Sequence, residues 1–359
     1  MTEALVNYAP PERARPLLGG VAAALEISAL VGSSVAAAVY AQGVIRPGLG
    51  QALGFGGGTQ DLLAAAWALL QQFSLQYGAL LVLVAAVGFV RRRVRPAAYA
   101  LGRGSLGAGQ IIRQGVVLGL VAGLPATVLL LLQTHAPIGT DTPMWAALRD
   151  APKDLSFWAF LAVGSFALVP LLEELTWRGY VLGRLTEAVA PGAAVLAAAA
   201  PFALLHTQYA SADPAMILAQ VSVMTFSLAG AFLTLRTGTL WPAVIGHFVL
   251  NFPIEFGVGW VRLALGVVVI VVFARPLLRE VSRWAKILFR RDTLQALPLL
   301  AVFAAVGLGA RLLPAHAPWI LGAAAVAGLA SAVMFRSAWS QPRGGARPDE
   351  ADAGDVEPT

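Results

Sequence analysis

The stretch SFWAFLAVGSFALVPLLEELTWRGYVLGRLTEA, residues 156–188, places Glu173, Glu174 and Arg178 inside an otherwise apolar run long enough to cross a bilayer. A hydrocarbon core of about 30 Å takes roughly 20 helical residues. A charged side chain at the centre of such a helix costs about 2.5 to 3.5 kcal/mol, and each leucine returns only about 0.3 to 0.6. The three charges must therefore face protein or water. Glu174 and Arg178 are spaced i, i+4, so they share a face and can neutralise each other, whereas Glu173 lies about 100° round the helix. One carboxylate is paired and one is left free, and a free carboxylate shielded from water is what a general base requires. A structural ion-pair network tying helices together would use the same residue types.

The rest of the chain extends this pattern. It is 58% hydrophobic and 12% charged, with a mean hydropathy of +0.73, far from the balance of a soluble domain. Ten apolar runs lie near 17–41, 62–90, 114–134, 156–186, 191–209, 215–235, 239–256, 258–274, 296–313 and 317–335. The expected fold is an all-α, polytopic transmembrane helical bundle of about ten spans with both termini cytoplasmic. With that orientation the 25 Lys and Arg divide 20 inside to 5 outside. The net charge of +6 is thus accounted for by membrane topology, and no nucleic acid is expected as a partner. There is no cysteine, so neither a disulfide nor a thiolate metal site is available. The segment 275–292, RPLLREVSRWAKILFRRD, reads as an amphipathic helix lying in the interface. The loop at 47–60 is glycine-rich and non-spanning, and the polar tail at 337–359 is expected to be disordered.

Two further spans carry polar residues at helical spacing. Phe202 and His206 are i, i+4, and so are His247 and Asn251; each pair projects from one face. Alone, a histidine or asparagine in a membrane helix is an ordinary interhelical hydrogen-bonding group. Together they gain meaning from depth: Glu173, His206 and His247 lie about 20, 22 and 12 Å from the cytoplasmic ends of their runs, near enough to converge if the helices tilt. Pro170, Pro201 and Pro242 each precede one of these residues, and a proline can start or kink a helix and leave carbonyls for water. Glu26, Glu255 and Arg262 are expected to be structural.

In order and spacing, Glu173-Glu174-x-x-x-Arg178, Phe202-x-x-x-His206 and His247-x-x-x-Asn251 resemble the motifs of the CPBP family. That family includes the CAAX prenyl proteases and bacteriocin-processing enzymes, also called Abi proteins or intramembrane glutamic endopeptidases. The resemblance covers about 156–256, with Trp177 standing where many members carry Phe. It divides the chain into N-terminal transmembrane helices with a basic cytoplasmic loop (1–155), a catalytic core (156–256), C-terminal transmembrane helices (257–336) and the tail.

The resemblance implies an endopeptidase in which Glu173 activates a water that His206 helps position. His247 and Asn251 would then donate to the developing oxyanion. Glu174 and Arg178 would hold the base helix in place, although Arg178 could instead receive a substrate carboxylate. Phe202 is supporting. The implied partners are the lipid bilayer and a membrane-associated protein or peptide substrate, in a multi-pass protein of a bacterial cytoplasmic membrane. No cofactor is expected: two Glu and two His could bind a divalent metal, but no HExxH is present and Asn251 is a poor ligand. A non-catalytic scaffold or bacteriocin-immunity protein is the alternative, followed by a proton-coupled transporter, against which the absence of an evident internal repeat counts.

Overall fold

In lipid the backbone must satisfy its own hydrogen bonds, which helices do within one segment. A computed structural model describes residues 19–32, 77–78, 80–82, 84–85, 100–102, 104, 106–135, 162, 167–206, 214–251, 259–312 and 326, and every regular element among them is helical. The order is α1 (Gly19–Gly32), a helical stretch within 77–85, α2 (Ala108–Ala122) and α3 (Leu124–His135). The motif helix α4 runs from Val169–Glu174 through a π-helical Leu175–Val181 into Leu182–Thr186. Then come α5 (Pro191–Leu205), α6 (Pro214–Thr237), α7 (Trp241–Asn251), α8 (Gly259–Val272), α9 (Ala274–Leu288), a 3-10 turn (Arg291–Gln295) and α10 (Ala296–Leu312).

Ten uninterrupted spans are not seen among the described residues. One helix, over Ile217–Thr237 of α6, is long and apolar enough to cross a membrane by itself; α8 and α9 pass that test only together, bent by 79°. The run expected at 114–134 divides at Gly123 into α2 and α3, with Pro125 in the first turn of α3. The run expected at 191–209 ends its helix at Leu205, and His206 turns out of it with ψ 60°. The loop at 47–60, the tail at 337–359, Glu255 and, apart from residue 326, the run at 317–335 lie outside the described residues.

Helix α5 lies at the centre. Ala193, Ala194, Ala197 and Ala203 are fully buried, and these small side chains let α6, α10 and α4 pack closely around it. A close backbone approach joins α2 to α7. A Cβ on Gly119 would lie 2.4 Å from the Gly246 carbonyl oxygen, and one on Gly115 would lie 2.6 Å from Cβ of Ile245. Gly115 and Gly119 form a GxxxG face, which seats α7 against α2 at a distance no larger residue permits.

Helix α9 has no buried residue. It is tethered where Trp284 stacks on Phe232 of α6 at 5.4 Å, and where Arg236 of α6 donates to Glu280 and, at 3.1 Å, to Gln114 of α2. Its bend from α8 and its basic residues Arg275, Arg279, Arg283 and Lys286 suit the interfacial helix expected from the sequence.

Three arginines do not report topology as assumed. Arg178, Arg184 and Arg262 are buried. Arg184 and Tyr180 both donate to Glu26 of α1, the former at 3.2 Å, so Glu26 is not solitary; Arg262 donates to the Leu250 carbonyl at 3.2 Å. Setting aside two inner and one outer arginine leaves 18 against 4, still strongly one-sided.

Candidate active site

Glu173 and Glu174 end the α-helical part of α4, and Arg178 sits in the π-helical turn that follows. Such π segments shift side chains round the axis and recur at functional sites. Glu174 is fully buried. Its Oε1 accepts from Arg178 Nη1 at 3.0 Å, the expected i, i+4 pair, and also from His247 Nδ1 of α7 at 2.9 Å. A carboxylate only accepts here, so Nδ1 of His247 carries a proton and Nε2 points away from Glu174.

Arg178, 2% exposed, lies over the ring of Phe202 at 4.4 Å and that of Phe226 at 5.1 Å. The two aromatic rings flank the guanidinium, whose Nη1 donates to Glu174. Phe202 is the hub of the packing. It contacts Trp177 at 5.6 Å, His206 at 4.7 Å and His247 at 6.2 Å, centroid to centroid. Its motif position is therefore explained by contact with four of the site's side chains.

His206 is oriented from its own helix end. With Pro201 inside α5, the last turn ends at Leu205, and Nδ1 of His206 lies 2.8 Å from the Phe202 carbonyl oxygen. A carbonyl accepts, so Nδ1 donates to it, and Nε2 is the ring nitrogen on the side of Glu173. Pro201 is internal to α5, and Pro170 follows two π-helical residues, 167–168, whereas Pro242 stands at the start of α7.

These helices bring the expected residues together. Oε2 of Glu173 lies 4.0 Å from Nε2 of His206 and 3.9 Å from Nε2 of His247. It is buried and accepts no hydrogen bond among the described residues. The other oxygen, Oε1, accepts from the Tyr77 hydroxyl at 2.9 Å, so Glu173 is not wholly free as expected. Asn251 follows His247 by one turn at the last position of α7 and is half-buried.

Sequence reasoning missed two residues of this site. Phe226 of α6, fully buried, packs on His247 at 5.0 Å as well as on Arg178. Tyr77 comes from a distant apolar run. Neither has a spacing pattern that marks it; the available signal was a hydroxyl within an apolar run, which in lipid needs a partner.

Residues 155–253, roughly a quarter of the chain, match the family described as type II CAAX prenyl endopeptidase, Rce1-like. No curated protein and no solved structure matches the chain. The matched segment contains all three motifs and every site residue except Tyr77, and the family comprises integral membrane proteases. The chain therefore carries, over residues 155–253, an Rce1-like domain of the CAAX prenyl protease family.

Proposed function

We propose that this protein is a multi-pass intramembrane endopeptidase that cleaves a membrane-associated protein or peptide with a water activated by Glu173. One observation carries the reading: a buried carboxylate oxygen without a hydrogen-bond partner among the described residues faces two imidazole Nε2 atoms at 3.9 and 4.0 Å. In this reading His206 Nε2 and Glu173 Oε2 both accept, and a water between them is the donor. A water about 2.8 Å from each would span the 4.0 Å gap with an angle near 90°, close to its own H–O–H angle. Both protons are then held, and a lone pair is left for the scissile carbonyl carbon.

Attack forms the carbon–oxygen bond while Glu173 takes the water proton. That proton then goes to the leaving nitrogen as the C–N bond breaks, giving a carboxylic acid and an amine. His247, whose Nδ1 proton is committed to Glu174, donates to the oxyanion from a second proton on Nε2. The Asn251 amide is the second donor. Each such donor contributes about 2.7 to 4 kcal/mol in other proteases. Glu174 thus orients His247 in addition to pairing with Arg178.

The reaction is proposed to need no metal. The donor atoms fit a water better than zinc, since ligands at about 2.05 Å in a tetrahedron stand about 3.3 Å apart. The ten apolar runs and the one-sided arginines support several spans, and the proposed location is a bacterial cytoplasmic membrane.

The test compares wild-type protein with Glu173→Gln in proteoliposomes, with and without chelator, using a fluorogenic peptide ending in a farnesylated CAAX box. Membrane peptidomes of cells expressing either form extend the comparison to native substrates. Cleavage that survives Glu173→Gln refutes the glutamate mechanism. Cleavage by neither form, with identical peptidomes, favours the scaffold reading.

A further inference from the structure

Tyr77 lies outside the matched segment, yet its hydroxyl donates a hydrogen bond to a proposed catalytic group. Its placement is not incidental. Tyr77, Leu80 and Val84 follow one another at i, i+3, i+7 and are all buried, whereas Val82 is 69% exposed. One stripe of this stretch therefore packs into the core, and Tyr77 is the polar member of that stripe. The ring is buried among apolar neighbours and its hydroxyl reaches Oε1 of Glu173.

The consequence falls on the other carboxylate oxygen. The last torsion of a glutamate is broad and roughly two-fold, so an unrestrained carboxylate samples many orientations. A donor fixed on Oε1 removes that freedom and leaves Oε2 turned toward His206 and His247. The hydroxyl also supplies a hydrogen bond that a buried carboxylate oxygen would otherwise lack.

We infer that Tyr77 is a positioning residue that holds Glu173 Oε1, so that Oε2 is the oxygen presented to the attacking water. The inference rests on the reading of Glu173 as the base. It also means that the hydrolytic site is completed by a helix outside the Rce1-like domain.

Tyr77→Phe removes one oxygen and keeps the ring, and it is assayed beside Glu173→Gln on the substrate that separates wild type from that variant. The expected result is a kcat lowered about 10- to 100-fold, as for loss of a hydrogen bond to a charged group, with KM within about 2-fold and a fall in unfolding temperature in detergent smaller than that of Tyr77→Leu. Tyr77→Leu, which also loses the ring, should lower the unfolding temperature as well, separating packing from positioning. Wild-type kcat in a folded Tyr77→Phe protein overturns the inference while the functional reading stands. A raised KM with unchanged kcat overturns it too, because the hydroxyl would then bind substrate. Activity retained by Glu173→Gln removes the base, and this inference with it.

Discussion

The substitution Gly119→Ala should disable the site from a helix that contributes no reacting group. A Cβ at Gly119 would sit 2.4 Å from the Gly246 carbonyl oxygen and 2.6 Å from Cβ of Val249, about 1 Å short of the 3.4 Å at which ordinary contact begins. Both obstacles belong to α7, one to its backbone, so no rotamer change relieves them. Helix α7 must shift by about 1 Å, carrying His247 away from its 2.9 Å contact with Glu174 and its 3.9 Å approach to Glu173. Overpacking of this kind costs about 1 to 3 kcal/mol in stability, and a misplacement of about 1 Å at a site costs on the order of 100-fold in rate. Gly109, in the first turn of the same helix, has nothing within 4 Å of its Cβ position. There the same substitution should be neutral or stabilising by up to about 1 kcal/mol, because alanine is the better helix former. Thermal unfolding in detergent and kcat on one substrate measure both effects. Equal unfolding temperatures and equal kcat for the two variants would refute the claim that α2 fixes the position of α7.

Two further substitutions probe the buried charges. Glu174→Gln keeps an acceptor oxygen for Arg178 and His247 but strips the charge that balances a buried guanidinium; stability should fall by on the order of 3 kcal/mol and kcat by at least about 100-fold, read by detergent unfolding and peptide cleavage. Glu26→Ala removes the acceptor shared by Tyr180 and Arg184, and should lower the unfolding temperature by an amount equivalent to about 3 kcal/mol while sparing kcat at permissive temperature. A matching loss of kcat at that temperature would tie α1 to the chemistry.

The site was legible where chemistry restricts residue type. Glu173, Glu174, Arg178, His206 and His247 stand out because hydrocarbon excludes such groups unless they gather, and the structure gathers them. The Glu174–Arg178 pair followed from spacing alone. The link from Glu174 to His247 did not, since it depends on how two helices cross, and that is set by Gly115, Gly119 and Gly246. The helical class was equally plain, but span count was not. Hydropathy sums over a window and is blind to a break such as Gly123, where the chain turns between α2 and α3 without any loss of apolar character. For the same reason Arg184 reads as an inner cation: it looks the same in sequence whether it meets water or Glu26.

The boundary of the matched segment has a physical meaning. Within 155–253 lie, apart from Tyr77, the groups to which the proposed reaction assigns a role. The contacts that hold those groups in register come from beyond it: the phenol on Glu173, the glycine face under α7 and the carboxylate of Glu26 beneath Arg184. Each meets a need that several residue types and several helices could meet, such as a donor, a close approach or a counter-charge. A pattern recognised by residue type therefore ends where the reacting groups end, while the rigid body that aligns them does not. Oε2 of Glu173 is set between two imidazoles by α4, α5 and α7 together with Tyr77, so the working unit is larger than the domain that names its chemistry.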